Sequence, residues 1–175
     1  MKLFVTGTNH IVIIGDNGVG KTTLLKKIYR QLKDRDDIDV SYMPQNYNEK
    51  LDHTKTVLEY LVPSGKKEEI TRVCTYMGSM KFTYQEMNQK IEELSGGQKA
   101  KLLFLEMVLN NYDVLILDEP TRNFSPLSNP VLRDGLTQFN GVIISVSHDR
   151  KYIKNVCNSI YKLTPKGLTK ITLNN

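Results

Sequence analysis

The sequence predicts an α/β fold: a mainly parallel sheet covered on both faces by helices, with a helical subdomain inserted into it. Three observations carry the expectation. Strand-sized apolar runs at His10–Gly15, Val114–Leu117 and Gly141–Val146 alternate with stretches of helical periodicity, the pattern of a buried parallel sheet. A glycine-rich turn joins the first run directly to the first helix. Between Asn46 and about Tyr112 the pattern is helical and polar. A chain of 175 residues suits one domain with a sizeable core. Residues 1–45 and 113–175 are assigned to the α/β core, and residues 46–112 to the helical subdomain.

Taken in order, His10–Gly15 is a buried strand running into a loop. Lys21–Leu32 places Leu24, Leu25, Ile28 and Leu32 at helical spacing. Asp39–Met43 is a short strand closed by Pro44. Thr56–Leu61, Lys67–Met77 and Thr83–Ile91 are helices, with breaks at Pro63-Ser64-Gly65 and Gly78. Gly96 and Gly97 precede a further helix, Gln98–Leu109. Asp113–Leu117 and Gly141–Val146 are strands. Ser159–Leu163 and Leu168–Leu173 form a closing hairpin around Pro165-Lys166-Gly167.

The composition excludes several classes. No apolar run approaches the roughly 20 residues of a membrane-spanning helix, so direct membrane insertion is not expected. Met1–Val5 lacks the apolar segment of a signal peptide, and Cys74 and Cys157 lie far apart without a metal-ligand pattern. Two reduced thiols in a cytoplasmic protein is the expectation. The net charge of +5 is unevenly placed. Residues 1–149 sum to −1, whereas residues 150–175 carry Arg150, Lys151, Lys154, Lys162, Lys166 and Lys170 and no acid. That segment reads either as solvated lysines or as a face for a polyanion such as RNA.

Gly15-Asp16-Asn17-Gly18-Val19-Gly20-Lys21-Thr22 carries the strongest chemistry, and Thr23 continues it into the helix. It fits G-x-x-x-x-G-K-[ST] between a strand and a helix. Its glycines let backbone N–H groups curl around phosphate oxygens, and the helix start adds a favourable dipole. Lys21 would reach the β- and γ-phosphates, and the Thr22 hydroxyl would ligate Mg²⁺. The expected core is that of a P-loop NTPase. Val114–Leu117 then delivers Asp118 and Glu119 at the carboxyl end of a buried strand, where α/β sheets bind ligands. Asp118 suits a Mg²⁺ contact and Glu119 a general base for the attacking water. Leu94-Ser95-Gly96-Gly97-Gln98 opens a helix, and its serine and glycine amides form a second anion-binding start. Gln45 follows the second strand, and His148 follows the strand ending at Val146.

The 94–98 segment resembles the signature of ATP-binding-cassette ATPases. The resemblance covers essentially the whole chain, with phosphate loop, Gln45, signature, Asp118-Glu119 and His148 in the family's order. It implies a RecA-like core that binds ATP and Mg²⁺. Gln45 would contact Mg²⁺ or the attacking water, and His148 the γ-phosphate. Ser95, Gly96, Gly97 and Gln98 would clamp ATP held by a second cassette, from the same parent chain or a homodimer. The isolated chain is therefore expected to bind ATP weakly and hydrolyse it slowly.

Ser147-His148-Asp149-Arg150 running into Lys151-Tyr152-Ile153, and Ser41-Tyr42-Met43-Pro44-Gln45, are similar to the ABC-F branch. That branch implies two cassettes, no membrane domain and action on the ribosome and its RNA. The alternatives are a transporter cassette, docking a membrane subunit through residues 46–93, and an ATP sensor with little hydrolysis. Two departures stand out. Thr121 is followed by Arg122-Asn123-Phe124-Ser125-Pro126, which puts Ser125 where the family carries Asp. Only 14 residues precede Gly15, and Phe4 lies too close for the family's adenine-stacking aromatic. The expectation is a domain from a longer protein, or a truncated paralogue.

Overall fold

The computed structural model describes residues 5, 7–124 and 129–172. The chain divides into two compact units, Met1–Gln45 with Asn111–Asn175, and Asn46–Asn110.

Among the described residues the first unit holds a six-stranded sheet. Its strands are β1 (His10–Ile14), β2 (Val40–Met43), β3 (Val114–Asp118), β4 (Val142–Val146), β5 (Ser159–Thr164) and β6 (Gly167–Ile171), in the order β2-β3-β4-β1-β5-β6. Every neighbouring pair is parallel except β5 with β6, which are joined as a hairpin. The central strands β1, β3 and β4 are mainly apolar because both of their faces are covered, and Val12, Ile13, Ile116 and Ile143 have under 1% of their surface exposed, whereas β5 has no buried residue. One face packs Ile11, Ile13, Tyr42, Val114, Ile116, Ile144 and Val146 against Leu25 of α1 (Lys21–Leu32). Leu24, Ile28 and Leu32 of α1 lie against the same cluster, as their helical spacing requires.

Two helices of this unit are not expected from the sequence. They are α6 (Asn129–Thr137) and α7 (Arg150–Val156), which pack together and bury Leu132, Leu136, Tyr152 and Val156. The start of α7 is fixed by Asp149, whose side chain accepts from the amides of Lys151 and Tyr152.

The second unit contains α2 (Val57–Leu61), α3 (Lys67–Ser79), α4 (Tyr84–Asn88) and α5 (Gly96–Leu109). Thr56 and Thr83 each cap a helix with a glutamate three residues on, so that side chain and backbone satisfy one another. Helix α4 ends earlier than its apolar pattern implies, since Gln89 turns to an extended conformation and a separate 3₁₀ turn covers Ile91–Glu93. Helix α5 starts two residues earlier than its sequence implies. Ser95 caps it, and the reciprocal bond to Gln98 holds Gly96 and Gly97 inside its first turn. Lys50 reaches Glu106 of α5 at 2.7 Å. No helix among the described residues is long and apolar enough to cross a membrane.

Candidate functional site

The loop between β1 and α1 is shaped by three glycines. At Gly15 a Cβ would lie 2.5 Å from the carbonyl oxygen of Leu163 on β5, so only glycine passes. Gly18 (φ 81°) and Gly20 (φ 98°) take left-handed conformations and face open space. Gly20 caps α1 without a side-chain acceptor, so no side chain covers the first amides of the helix. Lys21 is buried, and its ammonium donates to the carbonyls of Gly15 at 2.8 Å and Asp16 at 2.9 Å. The Val19 amide closes the turn on the Asp16 carbonyl at 3.3 Å.

At the carboxyl end of β3, Asp118 is buried. Glu119 follows with φ 53°, a left-handed conformation that a side chain rarely adopts and that costs about 1–2 kcal/mol. Its amide donates to the Val146 carbonyl at 2.9 Å, extending the β3–β4 pairing by one step. Two residues beyond Val146, His148 turns back toward it. The His148 amide donates to Glu119 Oε2 at 3.3 Å, and Nε2 lies 3.5 Å from Oε1. Burial pushes the Glu119 carboxyl above its ordinary range. The His148 amide and imidazole oppose that shift, Asp118 adds to it, and Lys21 opposes it.

These groups share one cleft of about 630 Å³. Asn17, Gly18, Gly20, Lys21, Thr22 and Thr23 form one part of its wall, and Gln45, Asp118, Glu119 and His148 another. Gly15, Asp16 and Val19 lie outside the wall and act from beneath, by holding Lys21 and closing the turn. Arg122 and Val146 also line the cleft, although the sequence assigned them no part. For Arg122 the available signal was its departure from the family pattern. Ser125 and Phe4 lie outside the described residues. The hydroxyl of Thr22, the amide of Gln45 and the carboxylate of Asp118 offer hard oxygen donors to the same space, a set that fits Mg²⁺.

The signature segment belongs to the second unit. Ser95 Oγ accepts from the Gln98 amide at 3.3 Å, and Gln98 Oε1 accepts from the Ser95 amide at 2.7 Å. Gln98 Nε2 donates to Glu86 Oε1. Both ends of the Gln98 amide are thus engaged in holding the helix start. The Ser95 hydroxyl proton and the first amides of α5, at Gly96 and Gly97, are what the motif can offer an anion.

A family model described as "ABC transporter" matches residues 1–122. The chain is 33% identical over 166 residues to ABC transporter F family member 2 of Arabidopsis thaliana, covering 90% of this chain and 24% of that protein. It is 34% identical over 179 residues to Protein GCN20 of Saccharomyces cerevisiae, covering 97% of this chain and 23% of that protein. With ATP-binding protein Uup of Caulobacter vibrioides the identity is 33% over 172 residues, covering 91% and 28%. The chain therefore spans about a quarter of the length of these relatives. Among solved structures, the dimeric post-hydrolysis state of the ATP-binding cassette MJ0796 bound to ADP and Pi superposes with a TM-score of 0.78 at 20% identity, over 98% of this chain and 89% of that one. A second dimeric structure of MJ0796, a bacterial ABC transporter cassette, gives 0.77 at 19%. At such identities the likeness is one of fold. Because the family match extends from the phosphate loop through the turn that carries Arg122, the chain belongs to the ABC transporter family as one of its ATP-binding cassettes.

Proposed function

We propose that this cassette binds and hydrolyses ATP with Mg²⁺ in head-to-tail composite sites completed by a second cassette, as part of a cytoplasmic ABC-F protein that acts on the ribosome. The observation that carries the reading is the convergence of Lys21, Asp118, Glu119 and His148 on one cleft. The loop amides and Lys21 hold the β- and γ-phosphates. Thr22, Asp118 and Gln45 hold Mg²⁺, which when bound neutralises charge on the phosphates. Glu119 takes a proton from the attacking water, and its raised pKa makes it a better base than an exposed glutamate. His148 orients Glu119 and faces the terminal phosphate. Gln45 also lines the cleft and positions the water.

Ser95 and the amides of Gly96 and Gly97, held in place by Gln98, clamp the terminal phosphate of ATP on the second cassette. Support for a second cassette comes from the solved neighbours, which are dimeric structures. The names of the relatives support the ABC-F branch. The ribosome reading rests on what the resemblance to the ABC-F branch implies and on the six uncompensated basic residues between Arg150 and Lys170. A single copy would hold only half of each composite site, so weak turnover is expected of the isolated chain.

The test uses Glu119→Gln in the full-length gene product. The variant should retain MgATP, lose hydrolysis by about 100-fold or more, and sediment with ribosomes in an ATP-dependent way. Unchanged hydrolysis would remove Glu119 from its role. Co-sedimentation with membranes instead of ribosomes would favour the transporter cassette. Wild-type protein that binds ATP without measurable turnover would favour the sensor.

A further inference from the structure

Arg122 lines the cleft and is not used by the reading above. It lies in the turn that leaves β3, and its amide donates to the Glu119 carbonyl at 3.1 Å. The turn keeps its backbone beside Glu119, and it lines the same cleft as Glu119 and His148. Its side chain is exposed, and among the described residues the guanidinium has no carboxylate partner. Lys21 is the contrasting cation: it is buried, and the Gly15 and Asp16 carbonyls fix its ammonium within the loop.

The two cations therefore serve different ends of a bound anion. A diphosphate seated on the loop amides and Lys21 engages one end only. A third phosphate extends toward Glu119, where the carboxylates of Asp118 and Glu119 repel it; Mg²⁺ would offset part of that repulsion, and a further positive charge on the Glu119 side would offset more. Arg122 is free to supply that charge. Its planar fork offers two parallel N–H donors to two oxygens of one phosphate, which a lysine ammonium cannot match.

We infer that Arg122 reads the terminal phosphate, and that through it a single copy of this chain distinguishes a nucleoside triphosphate from a diphosphate. The inference rests on the cleft being the nucleotide site. Unlike the contact proposed for Ser95, this one lies within a single chain and needs no second cassette.

The test measures binding of fluorescent ATP and ADP, with Mg²⁺, to the full chain at a dilution where sedimentation shows a monomer. Wild type, Arg122→Ala, Arg122→Lys and Lys21→Ala are compared, with circular dichroism as the check on folding. Arg122→Ala should lose about tenfold in affinity for the triphosphate, the worth of one charge-assisted hydrogen bond, and little for the diphosphate. Arg122→Lys should recover part of the loss, and high salt should shrink it. Lys21→Ala should weaken both nucleotides. If Arg122→Ala keeps the wild-type ratio of the two affinities, or the wild type shows no preference, the inference is overturned while the site reading stands. If the wild type binds neither nucleotide, or Lys21→Ala binds as the wild type does, the site reading fails and takes the inference with it.

Discussion

Gly15→Ala should destabilise the nucleotide-binding unit even without nucleotide. The added Cβ would lie 2.5 Å from Leu163 O and 3.2 Å from Val19 Cγ1. The first of these atoms is backbone, on a strand paired with β1 on one side and β6 on the other, so it cannot swing aside. Either β5 moves away from β1 or the start of the phosphate loop shifts. Overpacking of this kind costs about 1–3 kcal/mol, and the backbone angle of φ 155° adds about 1 kcal/mol for a residue with a side chain. A loss of about 3 kcal/mol is a large part of the roughly 5–15 kcal/mol that holds a domain folded. With a urea dependence of about 2 kcal/mol/M, the unfolding midpoint should fall by about 1.5 M. Gly18→Ala is the control, because its Cβ would meet nothing within 4 Å and only its φ of 81° is unfavourable. Its midpoint should fall by about 0.5 M, from a strain of about 1 kcal/mol. Equal midpoints for the two variants, followed by circular dichroism, would refute the steric argument.

Glu119 carries two further predictions and Ser95 a third. Burial holds the Glu119 carboxyl above its ordinary range, so the folded chain keeps this proton more tightly than the unfolded one. Its contribution to stability is present below the ordinary glutamate range and is lost as pH rises through the raised value. Glu119→Gln should therefore gain stability relative to wild type between acid and neutral pH, as read by thermal melts; a constant gap across that range contradicts the shift. Hydrolysis, which needs the carboxylate, should rise with pH from acid toward neutral, and a rate that falls over that range would count against Glu119 as the base. Ser95→Ala removes the acceptor for the Gln98 amide and should cost about 1 kcal/mol of local stability at the start of α5. Hydrogen exchange should show faster exchange in the first turn of α5, and unchanged protection there would mean that the cap contributes little.

The features legible in the sequence are those made by near neighbours in the chain. Gly18 and Gly20 are needed for their local conformation, and Lys21 bonds to carbonyls five and six residues back, whereas the clearance that Gly15 gives Leu163 exists only in the folded sheet. The strand runs stood out because burial on both faces removes polar alternation. The errors have equally local causes. The sequence places Gly96 and Gly97 before the helix rather than in it, yet the reciprocal Ser95–Gln98 cap outweighs their poor propensity. Helix α7 has seven residues, too few for a 3.6-residue period to declare itself, and its one signal was the Asp149 cap. Arg122 is a single exposed residue in a turn, and its one signal was the departure of the segment after Thr121 from the family pattern.

What the sequence by itself determined is the phosphate loop, the acidic pair at the end of an apolar strand and the capped signature helix, since each is written in a few consecutive residues. Only the tertiary structure decided which of these share a space. Any apolar strand can pair with any other, and the order β2-β3-β4-β1-β5-β6 brings Gln45, Asp118, Glu119 and His148 to the loop that follows β1. The register does the rest. Asp118 pairs with Val146, so Glu119 meets the strand end two residues before His148, and its φ of 53° is held there by the bond to the Val146 carbonyl. Such long-range pairings depend on how faces and edges fit after collapse, which no local pattern of residue types encodes.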